Sequence, residues 1–512
     1  MAFCRGTLSR KFPLLILVLA ALSMHAAAQG GSAGSVHGTV ADPSGAVIPN
    51  ATVKISNQMS GFNRTTTSDA TGQFNFSNIP FNPYVVSGAA TGFSSAKENI
   101  DLRSTVATEV KLTLQVAAGS TTVTVESEGD LVESDPTYHT DEDREQFSKI
   151  PLESQSSGLS ALVTETVPGI SADSNGQMHG LGDHASNSIV ADGQAITDQQ
   201  SKVFSNQLPT NSIQSMEVIS GAPPAEYGDK TSLVIVATTR SGQGVTKPTG
   251  SIYASYGSFG ADAGGFDLSY GGTKWGNFLE ADGLDSGRFL DAPEFSVFHD
   301  KGNEENFFDR IDYSMTQADS VHLDLNYSRS WFQTPNTYDN LNVQNVVAGG
   351  TSASPTFGNV GNADQRSRIG TFNISPTYTR VVSNNSVFNL GAFARRDIYN
   401  YYPSANPMAD LGPVNLQTSS IAQVRSLLNT GVHSDFSYDK GINNIKIGAQ
   451  YGQTFLRESD ALGIADNTYN SPCMNSVTGV SLPGYFSPAN CIAPGVSPNP
   501  NYVAALDRKS VV

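Results

Sequence analysis

Val321-His322-Leu323-Asp324-Leu325-Asn326-Tyr327-Ser328 alternates apolar and hydrophilic residues without a break. Successive side chains of a β-strand point to opposite faces, so this octet makes one apolar face and one wet face. The same period of two returns on both sides of it. Phe307, Ile311, Tyr313 and Met315 oppose Arg310, Asp312 and Ser314; Leu428, Thr430, Val432 and Phe436 oppose Asn429, Gly431, His433 and Asp435; Ile445, Ile447, Ala449 and Tyr451 oppose Lys446, Gly448, Gln450 and Gly452. A soluble sandwich and a membrane barrel with a wet interior both fit such strands.

Connection lengths separate the two. The turns at 317–320, 382–386 and 439–443 are short, whereas 334–365, 402–423 and the chain from 458 onward are long and without periodicity. Short turns at one rim and long loops at the other are the pattern of an outer-membrane barrel. Aromatic residues gather near strand ends, at Trp331-Phe332 and at Tyr399, Tyr401 and Tyr402, where a headgroup girdle would sit. Strands of about 9–14 residues suffice to cross a bilayer when tilted. The region from 249 to 512 is therefore expected to be an antiparallel transmembrane β-barrel segment of about nine strands.

Composition agrees. Of 512 residues only 15% are charged, against 38% apolar, with 48 glycines. A globular enzyme carries about a quarter charged residues, and a disordered chain carries more charge and fewer aromatics. The net charge of −17 excludes a general nucleic-acid binder, which needs a basic face. Residues 1–28 read as a secretory signal: Arg5, Arg10 and Lys11, an apolar run over 12–22, then Ala26-Ala27-Ala28, with cleavage after Ala28. Cys4 precedes that run. Cys473 and Cys491, 18 positions apart in an otherwise patternless Pro/Gly/Asn-rich stretch of an exported chain, predict a loop-closing disulfide. A zinc site is the weaker reading, since no histidine lies nearby.

Two further zones precede the barrel. Residues 35–118 carry short strand patterns separated by Asp42-Pro43-Ser44-Gly45 and Asp69-Ala70-Thr71-Gly72, and predict a small β-sandwich. Residues 141–244 are mixed. Leu159, Leu162, Val163 and Val167 have helical spacing, and Pro168-Gly169 stops that helix. Asp192-Gly193, between Ile189-Val190-Ala191 and Gln194-Ala195-Ile196, predicts a tight hairpin. Strands follow at 216–219 and 233–237. The intervening residues 119–140 read as a linker.

The stretch Ser212-Ile213-Gln214-Ser215-Met216-Glu217-Val218-Ile219-Ser220-Gly221-Ala222-Pro223-Pro224-Ala225-Glu226-Tyr227-Gly228 resembles the plug signature of TonB-dependent outer-membrane receptors, and Asp192-Gly193 resembles the plug's "DG" turn. The leading sandwich is similar to the carboxypeptidase regulatory-like, transthyretin-type domain. Sandwich, plug and barrel in that order resemble the Oar-like subgroup. The resemblance implies a mainly β protein: a transthyretin-like sandwich, an α+β plug, and a barrel of about 22 strands, of which about half would be present here. The sequence is accordingly expected to be C-terminally incomplete. The resemblance further implies ligand capture by external loops and plug, and import driven by TonB with its inner-membrane energising proteins. Outer-membrane lipid is an implied partner, and siderophores, cobalamin, saccharides (carbohydrate binding) and peptides are implied ligand classes. The sandwich would be periplasmic and the long loops extracellular.

Thr121, Thr122, Val123, Thr124 and Val125 form the candidate TonB box, a β-prone stretch able to add to a partner's sheet edge. The alternative is the last strand of the sandwich running into a linker. The plug residues singled out by the resemblance are Asp192, Gly193, Glu217, Val218, Gly221, Glu226, Tyr227 and Gly228. The stretch His179-Gly180-Leu181-Gly182-Asp183-His184 departs from plugs that place an arginine before the glycine, so no ligand contact is transferred to it.

No catalytic, metal or cofactor site is expected. Gly30-Gly31-Ser32-Ala33-Gly34 matches G-x-S-x-G without the strand that a nucleophile elbow needs. Gly180, Gly182 and Ala185 lack a following βαβ unit. His179, His184 and Asp183 read as a solvated loop, and Asp135, Asp141, Glu142, Asp143 and Glu145 as a solvated linker without EF-hand spacing. The alternative function is an adhesion or surface-binding protein that uses the barrel as an anchor.

Overall fold

The computed structural model describes residues 33–503, apart from 58–61, 103–104, 117–137, 145–148, 151–157, 173–177, 182–186, 197–207, 229, 291–298, 335–364, 404–418, 441–442, 465–467, 469 and 486. The signal segment 1–28, the candidate box at 121–125, and Asp135, Glu145, Asp183 and His184 lie outside the described residues.

The N-terminal unit consists of β1 (Ala33–Ala41), β2 (Thr52–Ser56), β3 (Asn63–Thr67), β4 (Gln73–Pro80), β5 (Asn82–Ala89), β6 (Ala96–Leu102) and β7 (Thr108–Thr113). They form two facing sheets, β4-β1-β7 and β3-β2-β5-β6. Alternate residues interdigitate between the sheets, among them Val36, Val53, Ile55, Phe74, Ile79 and Leu112. The two Asp-x-x-Gly turns are built alike. The Asp42 Oδ1 accepts from the N–H groups of Ser44 and Ala46 at 2.9 Å each, and that of Asp69 from Thr71 and Gln73 at 2.8 and 2.9 Å. Hydrogen bonds led by the Ser44 hydroxyl hold Asp42 below its ordinary pKa.

The middle unit begins with β8 (His139–Asp143), followed by α1 (Gly158–Thr166), β9 (Ile170–Ala172), β10 (Met178–Gly180), β11 (Asn187–Ala191), β12 (Gln194–Ala195), β13 (Ile213–Ser220) and β14 (Leu233–Thr239). Its main sheet has the order β12-β11-β14-β13-β8. All seven residues of central β14 are buried. Helix α1 packs Leu159, Leu162 and Val163 on that sheet, and the same core runs on into Phe278 and Phe308 of the next unit. Here the structure corrects the sequence reading. Asp141, Glu142 and Asp143 are not a solvated linker; they pair with Glu217, Met216 and Ser215, and Glu142 and Asp143 are buried. An unpaired edge of β13 inside the molecule would strand its backbone groups, and β8 satisfies them despite its acidic composition.

The third unit is one antiparallel sheet of nine strands in sequence order: β15 (Thr249–Tyr256), β16 (Asp262–Gly271), β17 (Trp275–Ser286), β18 (Gly302–Ser314), β19 (Asp319–Gln333), β20 (Arg366–Ser383), β21 (Ser386–Tyr402), β22 (Ser419–Lys440) and β23 (Asn443–Ile464). It curves around the middle unit as a wall that does not close: β15 and β23 are its two edges. The alternation splits the faces as the composition demands. His322, Asp324, Asn326 and Ser328 are buried against the interior, while Phe307, Ile311, Tyr327, Phe372 and Val432 stay exposed outside. Strands β22 and β23 run 22 residues each, through stretches read from the sequence as loop at 402–423 and beyond 458. Their outer ends pair through polar groups, such as Arg425 with Glu458 at 2.7 Å, where no apolar stripe marks a strand. The tail at 470–503 is likewise ordered: β24 (Cys473–Asn475) pairs with β25 (Val496–Pro498), and Cys473 is disulfide-bonded to Cys491. Among the described residues no helix is long and apolar enough to cross a membrane.

Candidate functional site

The interior face of the wall meets the middle unit through buried polar groups. The hairpin between β11 and β12 turns on Asp192 (φ 46°) and Gly193 (φ 86°), two left-handed residues in succession, which is the geometry of a type I′ turn. The turn holds the Asp192 carboxylate against the end of β14, where it accepts from the Thr239 hydroxyl at 2.6 Å and the Thr239 N–H at 3.2 Å. Across the interface Arg310 of β18 pairs with Asp192 at 3.1 Å and with Asp312 at 3.1 Å, and its Nη1 donates to the Thr239 hydroxyl at 2.8 Å. Ser241 donates to the other oxygen of Asp312. Arg310, Asp192 and Asp312 are nearly inaccessible to water, so each charge depends on the others for solvation.

A second cluster lies beside it. Arg240 pairs with Asp267 of β16 at 2.8 Å and lies over the Phe278 ring, 4.4 Å from its centroid. Arg144, one residue past β8, donates to the carbonyls of Thr210 and Asn211 at 3.2 Å each. Burial, with Arg240 nearby, lowers Arg144 to about 10, which leaves it charged at neutral pH. Further round the wall, Gln194 and Asn373 exchange two amide hydrogen bonds of 2.9 Å. Glu226 forms an ion pair with Lys446 of β23.

The other residues singled out from the sequence support this arrangement from within the middle unit. Glu217 lies in register between Asp141 and Val236, and Val218 is fully buried beside them. Gly221 adopts φ 99° as β13 ends, and its N–H donates to the Ser232 carbonyl at 3.0 Å. Tyr227 is buried with Val190, Ile219, Val234 and Val236, and Gly228 follows at φ 55°. His179 sits on β10, paired in register with Ser171, and among the described residues no group of His, Cys, Asp and Glu is arranged to hold a metal.

The wall's partners in these contacts were not singled out from the sequence, although a signal exists. Arg310-x-Asp312, His322-x-Asp324, Arg395-x-Asp397 and His433-x-Asp435 each place a basic residue and an acid two apart, hence on one strand face. Arg395 and Asp397 pair at 2.9 Å, both buried. Charged pairs on the shielded face of a strand require a polar neighbour inside.

The carboxypeptidase regulatory-like domain family matches residues 35–115, and the TonB-dependent receptor plug domain family matches residues 144–232. No curated protein matches the chain. Among solved structures it is similar to the alcaligin outer-membrane receptor FauA of Bordetella pertussis, with 12% identity over 64% of this chain and 49% of that one and a TM-score of 0.45. It is also similar to the ferric-catecholate import receptor Fiu of E. coli K12, with 16% identity over 63% and 49% and a TM-score of 0.45. A third is the pyoverdine outer-membrane receptor FpvA of Pseudomonas aeruginosa PAO1, with 11% identity over 64% and 47% and a TM-score of 0.47. The chain spans about half the length of these structures. The chain thus carries a carboxypeptidase regulatory-like domain followed by a TonB-dependent receptor plug domain, the latter lodged against an antiparallel wall of nine strands.

Proposed function

We propose that the protein binds a ligand from outside at the plug and the long-loop rim, and imports it across the outer membrane with energy relayed by TonB. The apolar outer face then contacts lipid, and the short-turn rim faces the periplasm. One observation carries this reading. Strand β8, where the described chain resumes after 137, is an edge strand held in its sheet by β13 alone, through five residue pairs. The rest of the plug is fastened to the wall by the buried groups around Arg310, Arg240 and Gln194. A pull on the segment before β8 therefore loads an edge strand of the plug sheet first. Residues 121–125 supply the stretch on which TonB would pull by strand addition.

The test is deletion of 122–126. The purified C-terminal domain of TonB is expected to bind the full chain and not the deletion variant, with plug and wall unchanged by hydrogen exchange. Equal binding by both forms overturns the assignment of the box, and absence of binding by the full chain overturns TonB coupling. A surface-binding role draws support from the disulfide-clasped element at 470–503, which exposes Val477 (89%) and Ile492 (88%). In that case substitution of these two residues, and not the deletion, abolishes attachment of cells that display the protein.

A further inference from the structure

The sandwich does not stand clear of the wall; it meets the short-turn rim at three separate places. At the β18–β19 turn Asn75 donates to the Gln317 carbonyl, and the Gln317 side chain donates to the Gln73 carbonyl at 3.3 Å. At the β20–β21 turn Asn384 donates to Glu109 at 3.0 Å. Thr105, between β6 and β7 of the sandwich, meets Ser437 of β22, their hydroxyls 2.6 Å apart and both buried. Ser437 belongs to the interior face of the wall, in register with Val387 of β21. The sandwich thus reaches inside the wall rather than resting on its edge.

Its centre lies beneath the plug. Arg64 is buried, donates to the Ser77 carbonyl at 2.7 Å, lies over Phe62, and is within electrostatic reach of Asp312, Arg310 and Asp192. Gly244, where the chain leaves the plug, has φ +82°, and a Cβ there would stand 3.0 Å from the Thr65 nitrogen. Where the three units meet, the space left between Ala33 and Asn78 of the sandwich, Asp192 and Gly193 of the plug, and His322 and Asp435 of the wall is about 30 Å³. That is room for two or three water molecules. The sandwich also holds the plug's first strand. Asn82 donates to the Asp143 carboxylate at 2.9 Å and accepts from Asn57 at 2.8 Å, all three residues being buried.

We propose that the sandwich is a seal seated in the short-turn mouth of the wall, latched to β8 through Asn82 and Asp143, and that its release precedes any movement of the plug. The connection from β7 to β8 joins the two bodies that this latch ties together. Tension on that connection acts on both, and a few side-chain hydrogen bonds yield before a strand ladder does. The seal blocks the exit beneath the plug even where the plug itself loosens. This deepens the transport reading by adding a second gate on its periplasmic side, and its test needs neither TonB nor ligand.

The experiment uses the exported chain in outer-membrane vesicles, with Cys473 and Cys491 bonded to each other. The pair Thr105→Cys and Ser437→Cys is expected to form a disulfide on mild oxidation, whereas Glu98→Cys with Ser437→Cys, from the exposed side of β6, is not. Ser437→Cys alone is expected to react slowly with a bulky maleimide, and Asn82→Ala to speed that reaction about tenfold, the scale of losing one buried hydrogen bond. No Thr105–Ser437 disulfide in a chain whose plug and wall show native hydrogen exchange overturns the seal. Unchanged maleimide reactivity in Asn82→Ala overturns the latch. Either failure leaves the deletion test of TonB coupling untouched.

Discussion

The sandwich and the wall use one code with opposite signs. In β2 the buried residues of Thr52-Val53-Lys54-Ile55 are the apolar ones; in β19 the buried residues of His322-Leu323-Asp324-Leu325 are the polar ones. Both are strands of period two, and both shield alternate side chains. The difference is what lies across from the shielded face. Two sheets of the sandwich face each other and exclude water, so their inward residues must be apolar. The wall faces a plug with its own polar groups, so its inward residues must pair with them, as Arg310 does with Asp192 and Asn373 with Gln194. Burial on its own therefore does not identify a hydrophobic core.

This contrast can be broken at its strongest point first. Arg310→Ala leaves the buried carboxylates of Asp192 and Asp312 without their shared cation, a loss of about 3–5 kcal/mol for a pair of this kind. Hydrogen exchange of β11, β12 and β14 should rise sharply; unchanged protection would show that the plug is held by other contacts. Ile55→Ala, the equivalent injury on the apolar side, should cost about 2–5 kcal/mol. That cost should appear as exchange in residues 33–113 with the wall unaffected; loss of protection in both units would mean that they fold as one.

The outward face gives the third test. Phe307→Lys, in register with Ala281 and Tyr327 on the exposed apolar side, should destabilise the protein by about 2–4 kcal/mol in a bilayer if that face meets acyl chains. The denaturant midpoint in vesicles reads this directly, and a near-zero change would place the face in water. The smallest effect is expected at Glu142. Burial raises its carboxyl above the ordinary value of 4.5, with the Thr166 hydroxyl opposing and Asp141 reinforcing the shift. A raised pKa in the folded state means that the protonated form is preferred there. The hold of β8 on β13 is then strongest below pH 4.5 and weakens as pH rises through the raised value. Glu142→Gln should increase protection of β8 at neutral pH, by on the order of 1 kcal/mol or less, and should remove its pH dependence.

Much of the fold was legible in the residues. Alternation located the wall strands, the Asp-Gly pair marked a turn that needs two left-handed residues, and the spacing of Leu159, Leu162 and Val163 marked α1. What escaped reading shares a cause. Strand β8 is acidic, and the outer ends of β22 and β23 are polar; each is a strand because a neighbouring backbone needs hydrogen-bond partners, a requirement that no local pattern encodes. The clasped tail at 470–503 was patternless for a similar reason, since its order comes from β24–β25 pairing and the Cys473–Cys491 bond rather than from an apolar face. The wall's half of the candidate site was visible as basic-x-acid repeats, but their role depends on what stands opposite.

By itself the sequence determined the alternating elements: which apolar-striped segments are strands, where turns demand left-handed backbone, and which face of each such strand is apolar. Those follow from local sterics and from the two-residue period of the chain. Only the tertiary structure decided which face is shielded, which charges pair, that β8 closes the plug sheet, and that the sandwich sits in the mouth of the wall. These outcomes depend on desolvating polar groups that lie far apart in sequence, and a buried charge is tolerated only where a distant segment brings its partner.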